Sequence, residues 1–150
     1  MLASAPRLVR LVSADRPLDR RLLHARGGFA WWYVDALDER GDGLVIIWSY
    51  GLPFLPGYRT AARRGNAPPA RERPSLNVVA YRGGREAFYL LQEYPATDAQ
   101  WSDDGTRWRF GDSVLQSRVV AGRRRLHAAF DCPVPGTRAR FRGDVRLEGV

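Results

Sequence analysis

Short apolar runs separated by turn-forming residues recur along most of this chain. The first two runs, 31–34 and 44–50, are rich in aromatic and β-branched side chains, and the segment 38–43 between them combines glycines with acidic residues. Aromatic and β-branched residues favour strands, while glycine and aspartate tolerate the backbone angles of tight turns. The pattern therefore predicts a β-hairpin at this position.

Side chains on a β-strand point alternately to its two faces, and this alternation sorts the residues of the first strand. Trp31, Tyr33 and Asp35 are expected on one face, with Trp32 and Val34 on the other. A lone hairpin does not keep this much aromatic surface out of water, so further strands are expected to cover it.

Further runs of the same kind continue to the end of the chain. They predict strands over 76–81, 86–94, 99–102, 107–110, 114–120, 126–131 and 138–147. About eight or nine strands at turn spacings of roughly 8 to 12 residues, without a long helix, are typical of an all-β domain. We expect a lipocalin-like antiparallel up-and-down β-barrel, with a β-sandwich as the alternative.

Two segments interrupt this rhythm. The stretch 51–74 is rich in proline, which excludes a central strand or a long helix and leaves only 58–64 as a short helix. Residues 1–26 contain short apolar pieces broken by arginine, and they are expected to form a lead-in segment. The barrel domain is then predicted over 27–150.

The chain is basic, with a formal charge of +8, and all 24 of its basic residues are arginine. Phosphate-binding surfaces usually mix lysine and arginine, and the arginines are scattered along the sequence apart from the run 123–125. Stacking on bases would also need outward aromatics beside basic residues, which the opening hairpin lacks. A nucleic-acid partner is therefore not expected.

The sequence offers no sign of a disulfide, a metal site or a membrane span. Cys132 is the only cysteine, and no histidine stands at ligand spacing from it. The N-terminal residues lack the apolar run of a secretory signal, and no window has the roughly 20 apolar residues of a transmembrane helix. We expect a soluble protein of the cytoplasm, either free or peripheral to a membrane.

Three motifs, taken in order, point to a known family. They are Gly28-x-x-Trp31-Trp32-Tyr33-x-Asp35-Ala36, the loop Phe54-x-Pro56-x-Tyr58 with 62–65 after it, and Leu76-Asn77-Val78-x-x-Tyr81. Across about 27–94 the chain resembles the carotenoid 1,2-hydratases, also called hydroxyneurosporene synthases. Tryptophan pairs are rare, which makes the Trp-Trp-Tyr-x-Asp motif fairly specific.

The resemblance implies a fold, a reaction type and a class of ligand. Family members consist of two lipocalin-like domains side by side, and this chain resembles the first of them. They include hydratases, cyclases and related enzymes that act on isoprenoids or polyenes without a metal or an organic cofactor. The expected partners are a hydrophobic isoprenoid or polyene and either a second lipocalin-like domain or a homodimer partner.

Hydration of an alkene through protonation needs a carboxylic acid in its neutral form and an environment that stabilises a carbocation. Aromatic faces can provide that stabilisation. Asp35 and Glu93 are the candidate catalytic acids within this chain, whereas the resemblance implies that the acid that protonates the alkene in the hydratases lies in their second domain. The structural alternatives are that Asp35 caps the strand or the following turn, and that Glu93 forms an ion pair with an arginine.

Aromatic and amide side chains near these acids are the candidate ligand contacts. The set consists of Trp31, Trp32, Tyr33, Trp48, Tyr50, Phe54, Tyr58, Asn77, Tyr89 and Gln92. Asn77, if inward-facing, serves either a ligand or the surrounding backbone, because a buried amide needs partners. His127 is expected to be a surface or internally hydrogen-bonded histidine rather than a base.

Three functions are compatible with this set of residues. The first is cofactor-free hydration or cation-type isomerisation of a polyene by a hydro-lyase acting on terminal isoprenoid double bonds. The second is a lipid-binding module without catalysis. The third is an interaction domain that forms one half of a two-barrel enzyme. A carboxylate that reaches the interior of the ligand pocket distinguishes the first function from the second. If Asp35 points outward, the enzyme interpretation fails for this chain alone.

Overall fold

A computed structural model describes residues 20–148 of the chain as two antiparallel β-sheets. The first sheet contains four strands in sequence order, β1 (Ala30–Leu37), β2 (Gly43–Tyr50), β3 (Pro74–Arg82) and β4 (Arg85–Glu93). The second sheet contains five strands in sequence order, β5 (Ala99–Trp101), β6 (Arg107–Phe110), β7 (Ser113–Val120), β8 (Arg123–Pro133) and β9 (Arg140–Glu148).

Helical structure in this part of the chain is short. One α-helix, α1 (Tyr58–Arg63), lies in the proline-rich loop where the sequence allowed one. Turns of 3-10 helix span Arg20–His24, Ala70–Glu72 and Ala96–Asp98. Most of the predicted lead-in segment, residues 1–19, lies outside the described residues.

The prediction of an antiparallel all-β fold is confirmed, whereas closure into a single barrel is not observed. Within residues 20–148, ladder hydrogen bonds join consecutive strands inside each sheet, and none joins β4 to β5 or β9 to β1. Pro95 and the 3-10 turn Ala96–Asp98 separate β4 from β5, and β5 itself has three residues. Pro95 has no backbone N–H to donate, so the chain leaves the ladder after β4 and begins a new sheet at β5.

The main core lies between the sheets and is dominated by aromatic rings. Trp32 of β1 packs against Trp101 and Trp108 of the second sheet, with ring centroids 4.8 and 4.4 Å apart. Tyr50 of β2 meets Phe110 of β6 edge to face at 5.1 Å. Edge-to-face and offset contacts are the favoured geometries for aromatic pairs, and each adds to the burial of apolar area.

A second aromatic contact joins the other end of the two sheets. Phe88 of β4 stacks on Phe141 of β9 at 4.0 Å, and Phe130 of β8 lies 5.4 Å from the same ring. Between these two ends the core is aliphatic, with Ile46, Leu76, Val78, Leu90 and Leu115 among its buried members. The sheets are therefore held together along their length.

The proline-rich loop 51–73 carries a small core of its own. Leu52, Leu55, Tyr58 and Ala67 are buried together, and Leu91 of β4 packs against them. The Tyr58 hydroxyl donates a hydrogen bond to the carbonyl of Gly28 at 2.6 Å, which ties the loop to the start of β1. This long loop is consequently folded against the first sheet.

Gly143 on β9 gives a direct test of the packing between strands. It lies opposite Phe130 in the β8–β9 ladder, and a Cβ atom at this position would overlap the Phe130 ring. We expect Gly143→Ala to lower the free energy of unfolding by about 1–3 kcal/mol, as overpacked core substitutions do. Urea unfolding of the purified chain measures this change.

The control is the same substitution in a Phe130→Leu background, where the ring is gone. The cost of Gly143→Ala should fall there, because the two side chains are directly coupled. An equal cost in both backgrounds would contradict the contact.

Candidate functional site

The face of the first sheet that points away from the second sheet carries most of the candidate residues. Strand pairing places Trp31, Tyr33 and Asp35 on this outer face of β1, as the alternation of the sequence predicted. Trp31 and Tyr33 are 40% and 54% exposed. Phe29, just before the strand, stacks on Trp31 with ring centroids 5.0 Å apart. The edge of the sheet therefore presents aromatic surface to solvent.

Cross-strand rows extend from this edge over the rest of the outer face. Tyr33 pairs with Ile47, and Ile47 is followed across the sheet by Asn77 and Leu91. The next row reads Asp35, Val45, Val79 and Tyr89 in the same direction. Aliphatic side chains thus lie between the aromatic and acidic residues of β1 and those of β4.

We call this surface the outer trough, defined by Tyr33, Asp35, Val45, Ile47, Val79, Tyr89 and Leu91. Its two borders, β1 and β4, are three strand spacings apart, or about 14 Å. Tyr89 on the far border is 53% exposed. The outer trough thus has aliphatic side chains in the middle and a tyrosine at each border, a composition suited to contact with an extended apolar ligand.

The acid at the near border has an immediate partner. The Tyr33 hydroxyl donates a hydrogen bond to Oδ2 of Asp35 at 2.9 Å. This hydrogen bond to the carboxylate, assisted by partial burial, raises the pKa of Tyr33 above its ordinary value of 10.0. Asp35 itself is exposed. The pair places a proton donor and a carboxylate side by side at one end of the floor.

The opposite end of the outer face is closed. Ser49 and Ser75 lie in adjacent strands, are fully buried, and their hydroxyls are 2.7 Å apart. Asn77 is also buried, and its Nδ2 donates to the carbonyl of Leu90 at 2.8 Å. The structural alternative for Asn77 is therefore present in the molecule. The loop 51–73 packs on Leu91 beside these residues.

Glu93, the second candidate acid, lies at this closed end. Both of its carboxylate oxygens accept hydrogen bonds from the guanidinium of Arg73, with Nη2 at 2.9 Å from Oε2. The same guanidinium lies over the ring of Tyr58 at 5.7 Å. The ion pair that the sequence offered as the alternative for Glu93 is present, and it fastens the loop to β4.

Other candidate ligand contacts lie away from the outer trough. Trp32, Trp48 and Tyr50 belong to the core between the sheets, and burial raises the pKa of Tyr50 to about 12. Gln92 pairs with Leu76 on β3, so strand alternation places it on the inner side of β4. Neither Asp35 nor Glu93 reaches this core, so neither meets a ligand held between the sheets. Because Asp35 points outward, the interpretation of this chain alone as an enzyme with an interior acid is wrong.

The remaining predicted contacts divide between surface and loop. Phe54 is 72% exposed on the loop, while Tyr58 is buried beneath it. His127 on β8 is exposed and lies 2.6 Å from Oδ2 of Asp144, as expected for a surface histidine with a partner. Phe54, Tyr58 and His127 are therefore not part of the outer trough.

Sequence reasoning missed the floor of the trough, which consists of Val45, Ile47, Val79 and Leu91. Each belongs to a run that was assigned to a strand, and each alternates with a core residue. The signal was therefore present in the alternation, but it needed the pairing of β2 with β1 and β3 to show that these side chains share a face.

Comparison with known proteins identifies relatives over parts of the chain. The acyclic carotenoid 1,2-hydratase of Thiocapsa roseopersicina is 50% identical over 56 residues, which cover 37% of this chain and 14% of the relative. The hydroxyneurosporene dehydrogenase of Chlorobaculum tepidum is 35% identical over 118 residues, which cover 74% of this chain and 31% of the relative. The sequence places this chain in the carotenoid 1,2-hydratase family.

The family is the one that the Trp-Trp-Tyr-x-Asp motif indicated. The chain spans less than a third of the length of the curated relatives it matches. No family model and no solved structure matches it. In residues 20–148, no helix is both long enough and apolar enough to cross a bilayer.

The hydrogen bond between Tyr33 and Asp35 predicts a change in the pKa of Tyr33 when Asp35 is replaced. Replacing Asp35 by Asn removes the negative charge that holds the Tyr33 proton, so the pKa of Tyr33 should fall toward 10.0. Carbon-13 NMR of labelled tyrosine rings between neutral and strongly alkaline pH follows each hydroxyl separately. Glu39→Gln, an exposed change in the adjacent turn, serves as the control and should leave this titration unchanged.

Proposed function

We propose that the outer trough binds an acyclic isoprenoid or polyene, and that the chain is one lipocalin-like domain of a hydratase-type enzyme. The observation that carries the proposal is the row of aliphatic side chains between the Tyr33–Asp35 pair and Tyr89 on the outer face of the first sheet. Val79 in this row is buried, and Val45, Ile47 and Leu91 are partly exposed. An extended polyene matches this surface in polarity, because burial of apolar area on both sides drives the contact.

The proposed reaction adds water across a terminal carbon–carbon double bond. A carboxylic acid donates a proton to the inner CH carbon of the double bond, the end carbon that bears the two methyl groups becomes a tertiary carbocation, and water adds there and releases a proton to the carboxylate. The product is a tertiary alcohol, and the acid is regenerated. This sequence needs an acid, a water molecule and a shielded cation, and no electron transfer.

Asp35 is the residue of this chain proposed to donate the proton. An apolar chain that lies across the trough excludes water from the carboxyl group, and low polarity favours the neutral acid. The Tyr33 hydroxyl, already hydrogen-bonded to Asp35, positions the carboxyl group. The exposed face of Tyr33 beside Asp35 is suited to a carbocation, whose attraction to an aromatic face is about 2 kcal/mol when desolvated.

A covering layer is part of this proposal because one open trough cannot exclude bulk water. A second lipocalin-like domain or a second copy of the chain is the proposed cover. The relatives are more than three times as long as the segments they share with this chain, which is compatible with a further domain in them.

A non-catalytic role in polyene binding is the second candidate. The observation that favours it is the position of Asp35, which is exposed and already engaged by Tyr33. In this role the trough holds the polyene and no group is placed to protonate it.

Binding is tested with lycopene, an acyclic polyene, presented in detergent micelles. Quenching of tryptophan fluorescence and a shift of the lycopene absorption bands report the contact. Tyr33→Ser and Tyr89→Ser each remove an aromatic ring from a border of the outer trough and should weaken binding about tenfold. Leu22→Ser, a change at a side chain that is 43% exposed away from the trough, should leave binding unchanged. Equal effects of all three substitutions would contradict this site.

Catalysis is tested by expressing the chain together with a second lipocalin-like domain of a hydratase in cells that accumulate lycopene, and analysing the extracted polyene for the gain of one water. Asp35→Asn should abolish hydration while lycopene binding is kept, because the amide lacks the acidic proton but keeps the shape. Glu39→Gln should leave the yield of alcohol unchanged. Binding without hydration by the unsubstituted chain would favour the non-catalytic role.

A further inference from the structure

The outer face of the second sheet has a chemistry opposite to that of the outer trough. At the end of this sheet, strand pairing aligns Gln116, His127 and Arg146 in one row, and Arg118, Arg125 and Glu148 in the next. Arg123 follows at the β7–β8 turn. We call this set the basic rows. Arginines that are far apart in the sequence are thus gathered on one surface.

The basic rows line an open groove. Its volume is about 480 Å³, and Arg118, Arg125, His127 and Arg146 contribute to its walls. This volume is ample for a phosphate group together with its ester substituents. Guanidinium groups are suited to such a group because their planar array of donors matches phosphate oxygens.

Carboxylates neutralise only part of this positive charge. Arg125 contacts Glu148 at 3.4 Å, and Asp144 contacts both Arg146 at 3.1 Å and His127. In residues 20–148, neither Arg118 nor Arg123 forms an ion pair with a carboxylate. The groove is therefore left with a positive charge at the side nearest the β7–β8 turn.

The β7–β8 turn beside the groove is apolar and exposed. Val119 and Val120 are 63% and 41% exposed. The turn itself consists of Ala121 and Gly122, both with positive φ angles of 50° and 76°. A two-residue turn with these angles usually carries asparagine, aspartate or glycine at its first position, so alanine keeps this tip apolar where a polar residue fits the backbone better.

We propose that this tip and the basic rows form a contact site for a membrane surface that contains anionic phospholipids. The valines enter the boundary between headgroups and acyl chains, while a lipid phosphate occupies the groove. An apolar tip rimmed by cations is the arrangement that interfacial binding requires, since burial of apolar area and attraction to anionic lipid act together. The proposal stands on this face alone and does not rest on the binding of a polyene.

Nucleic acid fits the same face less well. Phosphate contacts by arginine are common to both partners, but single strands are held mainly by bases that stack on aromatic rings. The outward positions of β7, β8 and β9 carry no Trp, Tyr or Phe in residues 113–148. A double helix is bound mainly through hydrogen bonds to its phosphates and sugars, which the exposed side chains of Val119 and Val120 cannot form.

The test is co-sedimentation of the purified chain with vesicles. One set is phosphatidylcholine alone, and the other contains about 30% phosphatidylglycerol, each at about 0.1 M and about 0.5 M NaCl. The charge variant is Arg118→Gln with Arg123→Gln, and its matched control is Arg63→Gln with Arg64→Gln, two exposed arginines at the end of α1. Both double variants change the net charge equally.

The chain should bind the anionic vesicles at low salt and lose most of this binding at high salt. The charge variant should bind about thirtyfold more weakly, and the matched control should bind as the unsubstituted chain does. Val119→Ser with Val120→Ser, which leaves the charge unchanged, should weaken binding about tenfold. Urea unfolding midpoints of all variants verify that they are folded.

Three results would overturn the proposal. One is equal binding to neutral and anionic vesicles, and another is an equal loss in the charge variant and its matched control, which reports net charge alone. The third is binding of a single-stranded oligonucleotide that depends on Arg118 and Arg123 while vesicles are not bound, which assigns the face to nucleic acid.

Discussion

The contact of Trp32 with Trp101 and Trp108 is the interaction on which the two-sheet arrangement depends. It joins the first strand of one sheet to the first two strands of the other, which share no ladder hydrogen bonds with it. The indole N–H groups of Trp48, Trp101 and Trp108 are buried without a partner in residues 20–148. Such groups cost free energy, so ring packing rather than hydrogen bonding must hold the layers together.

Burial of these rings leaves the molecule with two outer faces of different character. The first sheet presents the outer trough, with aliphatic side chains between Tyr33 and Tyr89. The second sheet presents the basic rows and the apolar β7–β8 tip. On each strand, alternate side chains form the outer face and the others form the core. The outer trough and the basic rows can therefore differ in chemistry without a change in the packing between the sheets.

The sequence predicted most strands, the opening hairpin, the helix near Tyr58 and the face shared by Trp31, Tyr33 and Asp35, because these follow from local alternation and turn chemistry. It favoured a closed barrel and kept two packed sheets only as the alternative, because the separation of the sheets depends on the end of β4 at Glu93, just before Pro95. Nor did it predict the trough floor or the basic rows. Both depend on the register between strands, through which Val79 comes to lie beside Val45, and Arg125 beside Arg118.

The separate ladders also bear on the order in which the chain acquires structure. Every described ladder joins strands that are consecutive in the sequence, and only the step from β2 to β3 crosses a long loop. Each sheet can therefore assemble from neighbouring hairpins at a small cost in loop-closure entropy. The contacts of Trp32 with Trp101 and Trp108 join residues much farther apart in the sequence, so the larger loop-closure cost of folding lies in bringing the two sheets together.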